Sequence, residues 1–211
     1  MTNHVKIEKI KKWLGSGCIN IFGLPFAGKD TQGKLLAKEL GGELIGGGDI
    51  LRSAGMPSHI QDYMRGGELI PTDEYVSIVI PFLSKPEFEG KPLILNSVGR
   101  WHGEEDYVLH ATNASEHPLK VVLHLQLNEG IVRQRWNELA KLNDRGNRHD
   151  DTEEVLEVRL KESREKTLPV IETYKSMGIV ITVDATKSRD EVYQEIIDGL
   201  YEFASRDEAS Q

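Results

Sequence analysis

The sequence has little cysteine and no long hydrophobic run, and each absence excludes a class of protein. The 211 residues include 1 cysteine, so no disulfide can form within the chain, and we expect a reducing, cytoplasmic environment. No apolar run approaches the roughly 20 residues of a membrane-spanning helix, and the N-terminus lacks the apolar core of a signal peptide. A net charge of −8 argues against a broad surface for nucleic acid or anionic membranes. We therefore expect a protein that binds neither nucleic acid nor membranes, and, as a separate expectation, a monomer.

With 38% hydrophobic and 28% charged residues, the chain suits one domain with a sizeable core and small inserted lobes. Residues 1–17 predict a helical extension, because their apolar positions recur on one helical face with lysines opposite. That helix is predicted to pack on the core or on a partner subunit, with membrane-surface binding as the alternative. The main domain is predicted over 18–204, and a disordered tail over 205–211. The apolar positions of the extension are Val5, Ile7, Ile10, Trp13 and Leu14.

Short apolar runs alternate with helical patterns along the rest of the chain. The runs are typical of buried parallel strands, and they cover Cys18–Phe22, Pro92–Asn96, Lys120–Leu127 and Gly178–Asp184. This alternation predicts an α/β fold with a doubly wound parallel sheet and helices on both faces. A first helical pattern begins at the lysine of "KDTQGKLLAKELGG", and others cover Asp73–Leu83, Glu104–Ala114, Asn128–Leu142, Asp151–Met177 and Ser188–Phe203.

The segment "GLPFAGKDTQ", residues 23–32, lies between a predicted strand and a predicted helix. It is close to the phosphate-binding pattern G-x-x-x-x-G-K-[ST], except that Asp30 follows the lysine. Backbone N–H groups in such a turn converge on an anion, and the helix N-terminus adds its positive end. We therefore predict phosphate binding rather than a purely structural turn, with Lys29 reaching the terminal phosphates and the Thr31 hydroxyl near a magnesium ion.

The same segment resembles the G-x-P-G-x-G-K-G-T-Q opening of adenylate kinases and other nucleoside monophosphate kinases. The likeness continues in order through "GGGDILRSAG", "RGGELIPTDEYVSIVIPFL", "LILNSVGRWHGEE", "LQLNEGIVRQRW" and "NRHDDTEEVLEVRL". The resemblance implies a P-loop NTPase fold with a five-stranded parallel sheet, a lobe for the monophosphate at about 46–75 and a short lid at about 136–148. It also implies the reaction of Mg²⁺–ATP with AMP to give two ADP.

Phosphoryl transfer between two nucleotides brings two anionic chains together, so the protein must neutralise, align and shield them. Arginine suits this task because its fork binds phosphate oxygens bidentately and keeps its charge. On this resemblance, the catalytic residues are Lys29, Arg100, Arg135, Arg148 and Arg159.

The resemblance assigns further contacts to two nucleotide sites. It places ATP against Gly23, Pro25, Ala27, Gly28, Lys29, Asp30, Thr31 and Arg135. It places the monophosphate against Gly47, Asp49, Arg52, Leu69, Ile70, Gly99, Arg100, Glu104, Arg148 and Arg159.

Two departures from the family pattern concern the metal. Asn96 replaces the acid that orients magnesium-bound water at the end of a strand, and Asp30 adds an acid where the family has glycine. We hypothesise that Asp30 takes over part of that role, giving Thr31 and Asp30 as indirect contacts of Mg²⁺. The alternative is that Asp30 is only a first-turn acid favoured by the helix dipole. A third departure is Phe26, which stands in place of a glycine and predicts strain if the position needs a positive φ.

Base recognition departs from the pattern as well. Glu104 replaces the glutamine that reads adenine, and Gly47 replaces a hydroxyl residue. The resemblance places Trp101 beside the monophosphate pocket, either to stack on a base or only to pack. Glu104 can accept a hydrogen bond from the exocyclic amine of adenine or cytosine but cannot donate unless it is protonated. Two alternatives to an AMP kinase therefore remain: a kinase preferring UMP or CMP, and a nucleotide-binding regulator with weakened turnover. A scaffold protein that uses the N-terminal helix is a further alternative.

Overall fold

The computed structural model describes residues 2–47, 62–63, 65–66, 81–141 and 152–209. Most of the predicted monophosphate lobe (about 46–75) and the end of the predicted lid (about 136–148) lie outside the described residues. Among the residues that are described, no helix combines the length and apolar character needed to cross a membrane.

Five parallel strands form one sheet in the order β2-β3-β1-β4-β5, which confirms the predicted doubly wound sheet. The predicted strands are present within two residues of their expected bounds. The remaining strand, β2, has four residues and was not predicted, because so short a run shows no periodicity. The strands are β1 (Cys18–Gly23), β2 (Glu43–Gly46), β3 (Leu93–Asn96), β4 (Leu119–Gln126) and β5 (Val180–Asp184).

The described helices connect these strands and cover the sheet. A short 3₁₀ turn at Pro86–Phe88 precedes β3, and residues 81–83 are helical. The helices are α1 (Asn3–Leu14), α2 (Lys29–Leu40), α3 (Glu105–Ala114), α4 (Glu129–Lys141), α5 (Glu153–Glu162), α6 (Leu168–Ser176) and α7 (Arg189–Ala209).

Alternation along β1 divides the core between the two faces of the sheet. Ile19 and Ile21 lie in a cluster that includes side chains of α1, α2 and α7, whereas Phe22 packs with Tyr174 of α6. Cys18 is fully buried and packs with Val108 of α3, which confirms it as a buried strand residue. Helices therefore cover both faces, as parallel strands buried on two sides require.

The long helical pattern predicted over Asp151–Met177 is interrupted by one π-helical turn, Ser163–Thr167, between α5 and α6. Pro169 in the first turn of α6 explains the interruption, because proline has no N–H to donate to the carbonyl four residues earlier. A wider turn accommodates the missing hydrogen bond without ending the helix.

The two chain ends differ in detail from the prediction. Val5 is 50% exposed, although the other apolar residues of α1 are buried as expected. The predicted disordered tail is helical as far as Ala209, because α1 packs along α7. The indole N–H of Trp13 donates to Asp207 Oδ2 at 2.7 Å, and Lys9 pairs with Glu208 at 3.2 Å. These contacts order residues 205–209 and seat α1 on this chain's own core.

Candidate active site

A glycine-rich loop, Gly23–Gly28, joins the end of β1 to the start of α2. Helix α2 begins at Lys29, as predicted, and Gly28 precedes it in the left-handed region at φ 88°. A Cβ added at Gly23 would lie 2.7 Å from the carbonyl oxygen of Leu125, so glycine is needed for the close approach to β4. The loop therefore lies at the carboxyl edge of the sheet, against the N-terminus of α2.

Phe26 adopts the left-handed conformation expected from the glycine it replaces. Its φ is 61°, a region in which a Cβ is disfavoured. The Phe26 side chain is half-buried and packs against the core cluster. The loop thus retains a backbone conformation typical of glycine, and packing of the ring offsets part of the conformational cost.

Two of the predicted cationic side chains are anchored on this loop. Lys29 Nζ donates to the carbonyl oxygens of Gly23 at 2.9 Å and Leu24 at 3.0 Å. The guanidinium of Arg135 donates to the carbonyl oxygens of Phe26 at 3.0 Å and Ala185 at 2.7 Å. Arg135 therefore connects the loop to the segment after β5. The fold brings these two cations, remote in sequence, to one loop.

Asn96 and Asp30, the two departures from the expected magnesium-binding pattern, are hydrogen-bonded to each other. Asn96 Nδ2 donates to Asp30 Oδ1 at 2.5 Å, joining the end of β3 to the first turn of α2. Ser97, the residue after β3, has its Oγ 3.3 Å from Asn96 Oδ1 and 3.3 Å from the carbonyl oxygen of Ile21. Sequence reasoning linked Asp30 and Asn96 through chemistry, but it gave no contact between them.

The β3–α3 loop, Ser97–Glu104, is hydrogen-bonded to β1. The buried Asn20 of β1 donates from Nδ2 to the carbonyl oxygen of Val98 at 2.7 Å and accepts from the Val98 N–H at 3.3 Å. Gly99 has φ 72°, and a Cβ there would lie 2.5 Å from Cγ2 of the buried Val108. These constraints fix the backbone just before Arg100, which is half-buried.

The side chains of the next residues of the β3–α3 loop contact the loop backbone and the neighbouring π-helical turn. Glu104 is 2% exposed, and its Oε2 accepts a hydrogen bond from the backbone N–H of Trp101 at 3.0 Å. The ammonium of Lys166, in the π-helical turn, lies 4.2 Å from the centroid of the Trp101 ring. Lys166 also pairs with Glu162 at 2.8 Å. In this structure the Trp101 ring contacts Lys166 of the π-helical turn, and one oxygen of Glu104 accepts a hydrogen bond from the loop backbone.

Glu105, which sequence reasoning did not identify, closes the same loop. Its carboxylate accepts from the Gly103 N–H at 2.5 Å and contacts His102 Nδ1 at 2.9 Å. Burial raises the pKa of Glu105, but hydrogen bonds from its own backbone, His102, Gly103 and Thr173 outweigh burial and lower the pKa. The only sequence signal for this role is an acid in the first turn of a predicted helix.

The remaining predicted residues divide between described and undescribed parts of the chain. Thr31 is exposed in the first turn of α2, and Arg159 is half-buried in the last turn of α5. Within the described ranges, no group of three or more His, Cys, Asp or Glu residues could hold a metal by itself. Gly47 follows β2 and is buried. The predicted residues outside the described ranges are Asp49, Arg52, Leu69, Ile70 and Arg148.

Comparison of the sequence with known proteins points to one family. A family model described as adenylate kinase matches residues 21–179. The chain is 33% identical to an adenylate kinase of Parvibaculum lavamentivorans, over 83% of this chain and 88% of the relative. It is 33% identical to one of Thermus thermophilus, over 82% and 91% of the two chains. It is 29% identical to one of Methanosarcina barkeri, over 88% and 99%.

Proposed function

Because this chain belongs to the adenylate kinase family, we propose that it transfers the terminal phosphoryl group of ATP to AMP, giving two ADP. It is an adenylate kinase-like nucleoside monophosphate kinase. The observation that carries the choice of donor is the anchoring of Lys29 and Arg135 on one glycine-rich loop at the carboxyl edge of the sheet. Ligands of open α/β sheets bind at that edge.

On the donor side, each part of the loop has a task that its geometry supports. Backbone N–H groups and the N-terminus of α2 bind the phosphates. Lys29 swings from the loop carbonyls to the terminal phosphate, and Arg135 neutralises the charge that develops during transfer. The oxygen donors Thr31 and Asp30 fit the hard Mg²⁺ ion, which they would contact through its water. Mg²⁺ bound with ATP supplies charge neutralisation at the phosphate oxygens.

On the acceptor side, Arg100 is proposed to bind the monophosphate and Arg159 the transferred group. Arg100 follows a backbone fixed by the close approach of Gly99 to Val108, and Arg159 lies in the last turn of α5. Lobe closure is proposed to bring these cations inward and to exclude water. The proposal also includes predicted residues that lie outside the described ranges: Asp49, Arg52, Leu69, Ile70 and Arg148.

A pyrimidine monophosphate is a second candidate acceptor, because the position of Glu104 weakens the case for adenine recognition. Because Oε2 of this buried carboxylate accepts from the Trp101 N–H, that oxygen is already used within the loop. A side chain held in this way reads adenine less readily than an amide facing the pocket. AMP remains the proposed acceptor because adenylate kinases are the relatives that match.

A coupled phosphotransfer assay with ATP and AMP, CMP or UMP in turn tests the proposal. We expect the highest kcat/KM with AMP. A higher kcat/KM with CMP or UMP would instead support a pyrimidine monophosphate kinase. Nucleotide binding without turnover would make it a regulator, and an unfolding temperature unaffected by nucleotides would leave only a scaffold role.

A further inference from the structure

We propose that Asn96 is a positioning residue that holds the carboxylate of Asp30 toward the metal bound with ATP. Asp30 and Asn96 would then act as a unit at the rim of the phosphate site. This inference rests on the proposed function, and it starts from one contact: Asn96 Nδ2 donates to Asp30 Oδ1 at 2.5 Å. The two residues are 66 positions apart in sequence, so the contact exists only because β3 and α2 meet at this edge.

The chemistry of Asp30 decides which way the Asn96 amide points. A carboxylate can only accept, so the atom that faces Asp30 is the amide nitrogen, and the amide oxygen points away from it. The Ser97 Oγ lies 3.3 Å from that amide oxygen and 3.3 Å from the carbonyl oxygen of Ile21. Its single hydrogen can be donated to only one of these two acceptors at a time.

The residue type that suits position 96 depends on the acid at position 30. An aspartate at position 96 would place a second negative charge against Asp30, and like charges at that distance repel each other. Asparagine instead donates a hydrogen bond to Asp30 and adds no second charge. A single negative charge is therefore retained, carried by α2 rather than by the end of β3.

The position of Asp30 suits a metal-facing role better than a purely helical one. The positive end of α2 favours an acid at this position. That effect requires no hydrogen-bond partner on β3, whereas Asp30 has one in Asn96. Asp30 follows Lys29 and precedes Thr31, whose exposed hydroxyl is a second oxygen donor. One amide occupies Oδ1, and a carboxylate has capacity for further donors, such as metal-bound water.

Metal binding tests this inference separately from turnover. We would titrate Mn²⁺, as a probe for Mg²⁺, into the full chain with ATP, follow the loss of the free Mn²⁺ signal by electron paramagnetic resonance, and use ATP alone as reference. We expect Asp30→Asn to weaken Mn²⁺ binding by about tenfold and Asn96→Ala to weaken it less, as for other groups in contact with metal ligands. The matched control is Asp190→Asn, an exposed first-turn acid of α7, for which we expect no change.

The exchanged pair provides the sharpest variant. Asp30→Asn combined with Asn96→Asp restores one carboxylate and one amide in contact. We therefore expect Mn²⁺ binding to return to within about threefold of the unaltered chain, a difference of less than about 1 kcal/mol. Unchanged binding in Asp30→Asn, or an exchanged pair no better than Asp30→Asn, would overturn the inference. Equal unfolding temperatures for all variants exclude misfolding as the cause.

The outcomes also separate this inference from the proposed function. If the unaltered chain turns over AMP while Asp30→Asn binds Mn²⁺ normally, the positioning role fails and the kinase function stands. If Mn²⁺ binding follows the expected series but no acceptor is phosphorylated, the proposed function fails and the positioning role stands.

Discussion

The glycine-rich loop and the β3–α3 loop lie at the same edge of the sheet, but they use their backbone and side-chain groups in different ways. Both contain a non-glycine residue in the left-handed region, Phe26 at φ 61° and Ser97 at φ 55°. In the glycine-rich loop, the proposed ligand contacts are backbone N–H groups and two cations anchored on carbonyl oxygens. In the β3–α3 loop, the carboxylates of Glu104 and Glu105 hold the loop's own backbone.

This difference explains how the two loops tolerate change. A site built from backbone groups keeps its geometry when a side chain changes, provided that the backbone conformation is retained, as it is at Phe26. A site read by side chains changes its preference when those side chains form new bonds, as Glu104 does with Trp101. Phosphate binding by the backbone of the glycine-rich loop is therefore expected to follow the family, whereas the acceptor preference depends on side chains that differ in this chain.

Removing the ammonium of Lys29 should have the largest effect on the glycine-rich loop. For Lys29→Met we expect kcat/KM to fall by about 10³-fold, the loss typical of removing one donor that stabilises transition-state charge. Steady-state kinetics with ATP and the best acceptor measures this loss.

The control is Lys34→Met, an exposed lysine of the same helix, which should keep full activity. Activity of Lys29→Met within about tenfold of the unaltered chain would contradict the role of Lys29, since that difference is only about 1.4 kcal/mol.

Alanine at Gly99 and at Gly28 compares the packing of the two loops directly. Both glycines have a positive φ, which costs an alanine roughly 1–2 kcal/mol. A Cβ at Gly28 meets no atom within 4 Å, whereas one at Gly99 lies 2.5 Å from Val108 Cγ2. We therefore expect Gly99→Ala to unfold with a free energy about 1–3 kcal/mol lower than that of Gly28→Ala, as overpacking usually costs.

Chemical denaturation of the two variants measures that difference. In a double-mutant cycle with Val108→Ala, which removes the clashing methyl group, the losses from the two substitutions should be less than additive. Equal stabilities for Gly28→Ala and Gly99→Ala would show that the β3–α3 loop is not constrained by α3.

These positions also show what the sequence could predict. The start of α2 at Lys29 followed from local pattern, because helix signals act over a few residues. The positive φ of Phe26 was raised only as a condition, by the glycine that the family pattern has at that position. The contact between Asn96 and Asp30 did not follow, since it requires the register of β3 beside β1. The same limit applies to Glu104, whose burial depends on α3 packing, and to the tail, which α1 orders.

Substitution of Glu104 should have a moderate effect on the acceptor side. For Glu104→Gln we expect KM to rise about threefold for AMP, CMP and UMP alike, because a neutral side chain orders the loop that carries Arg100 less strongly. Initial rates with each acceptor at saturating ATP measure this. A change confined to one base would contradict the loop-ordering role and would show that Glu104 reads the base.

The smallest expected effect is on the pH dependence of stability. His124 of β4 is 8% exposed, and burial, followed by the charge of Lys175 and opposed by Glu172, lowers its pKa. Since the unfolded state then binds more protons, stability should fall as pH drops below about 6.5 and should level off below the folded-state pKa.

Urea unfolding between pH 5 and 8 tests this dependence. In His124→Gln the titrating group is absent, so the decline in this range should be smaller. Identical pH profiles for the two proteins would show that His124 does not contribute.

The most direct test of the account is binding of a dinucleotide in which two adenosines are joined through a polyphosphate chain that spans both sites. Because the account places two nucleotides end to end in one cleft, we predict one ligand per chain by calorimetry, bound at least about 10²-fold more tightly than ATP or AMP alone and displaced by either. An affinity no greater than that for ATP would contradict a shared cleft.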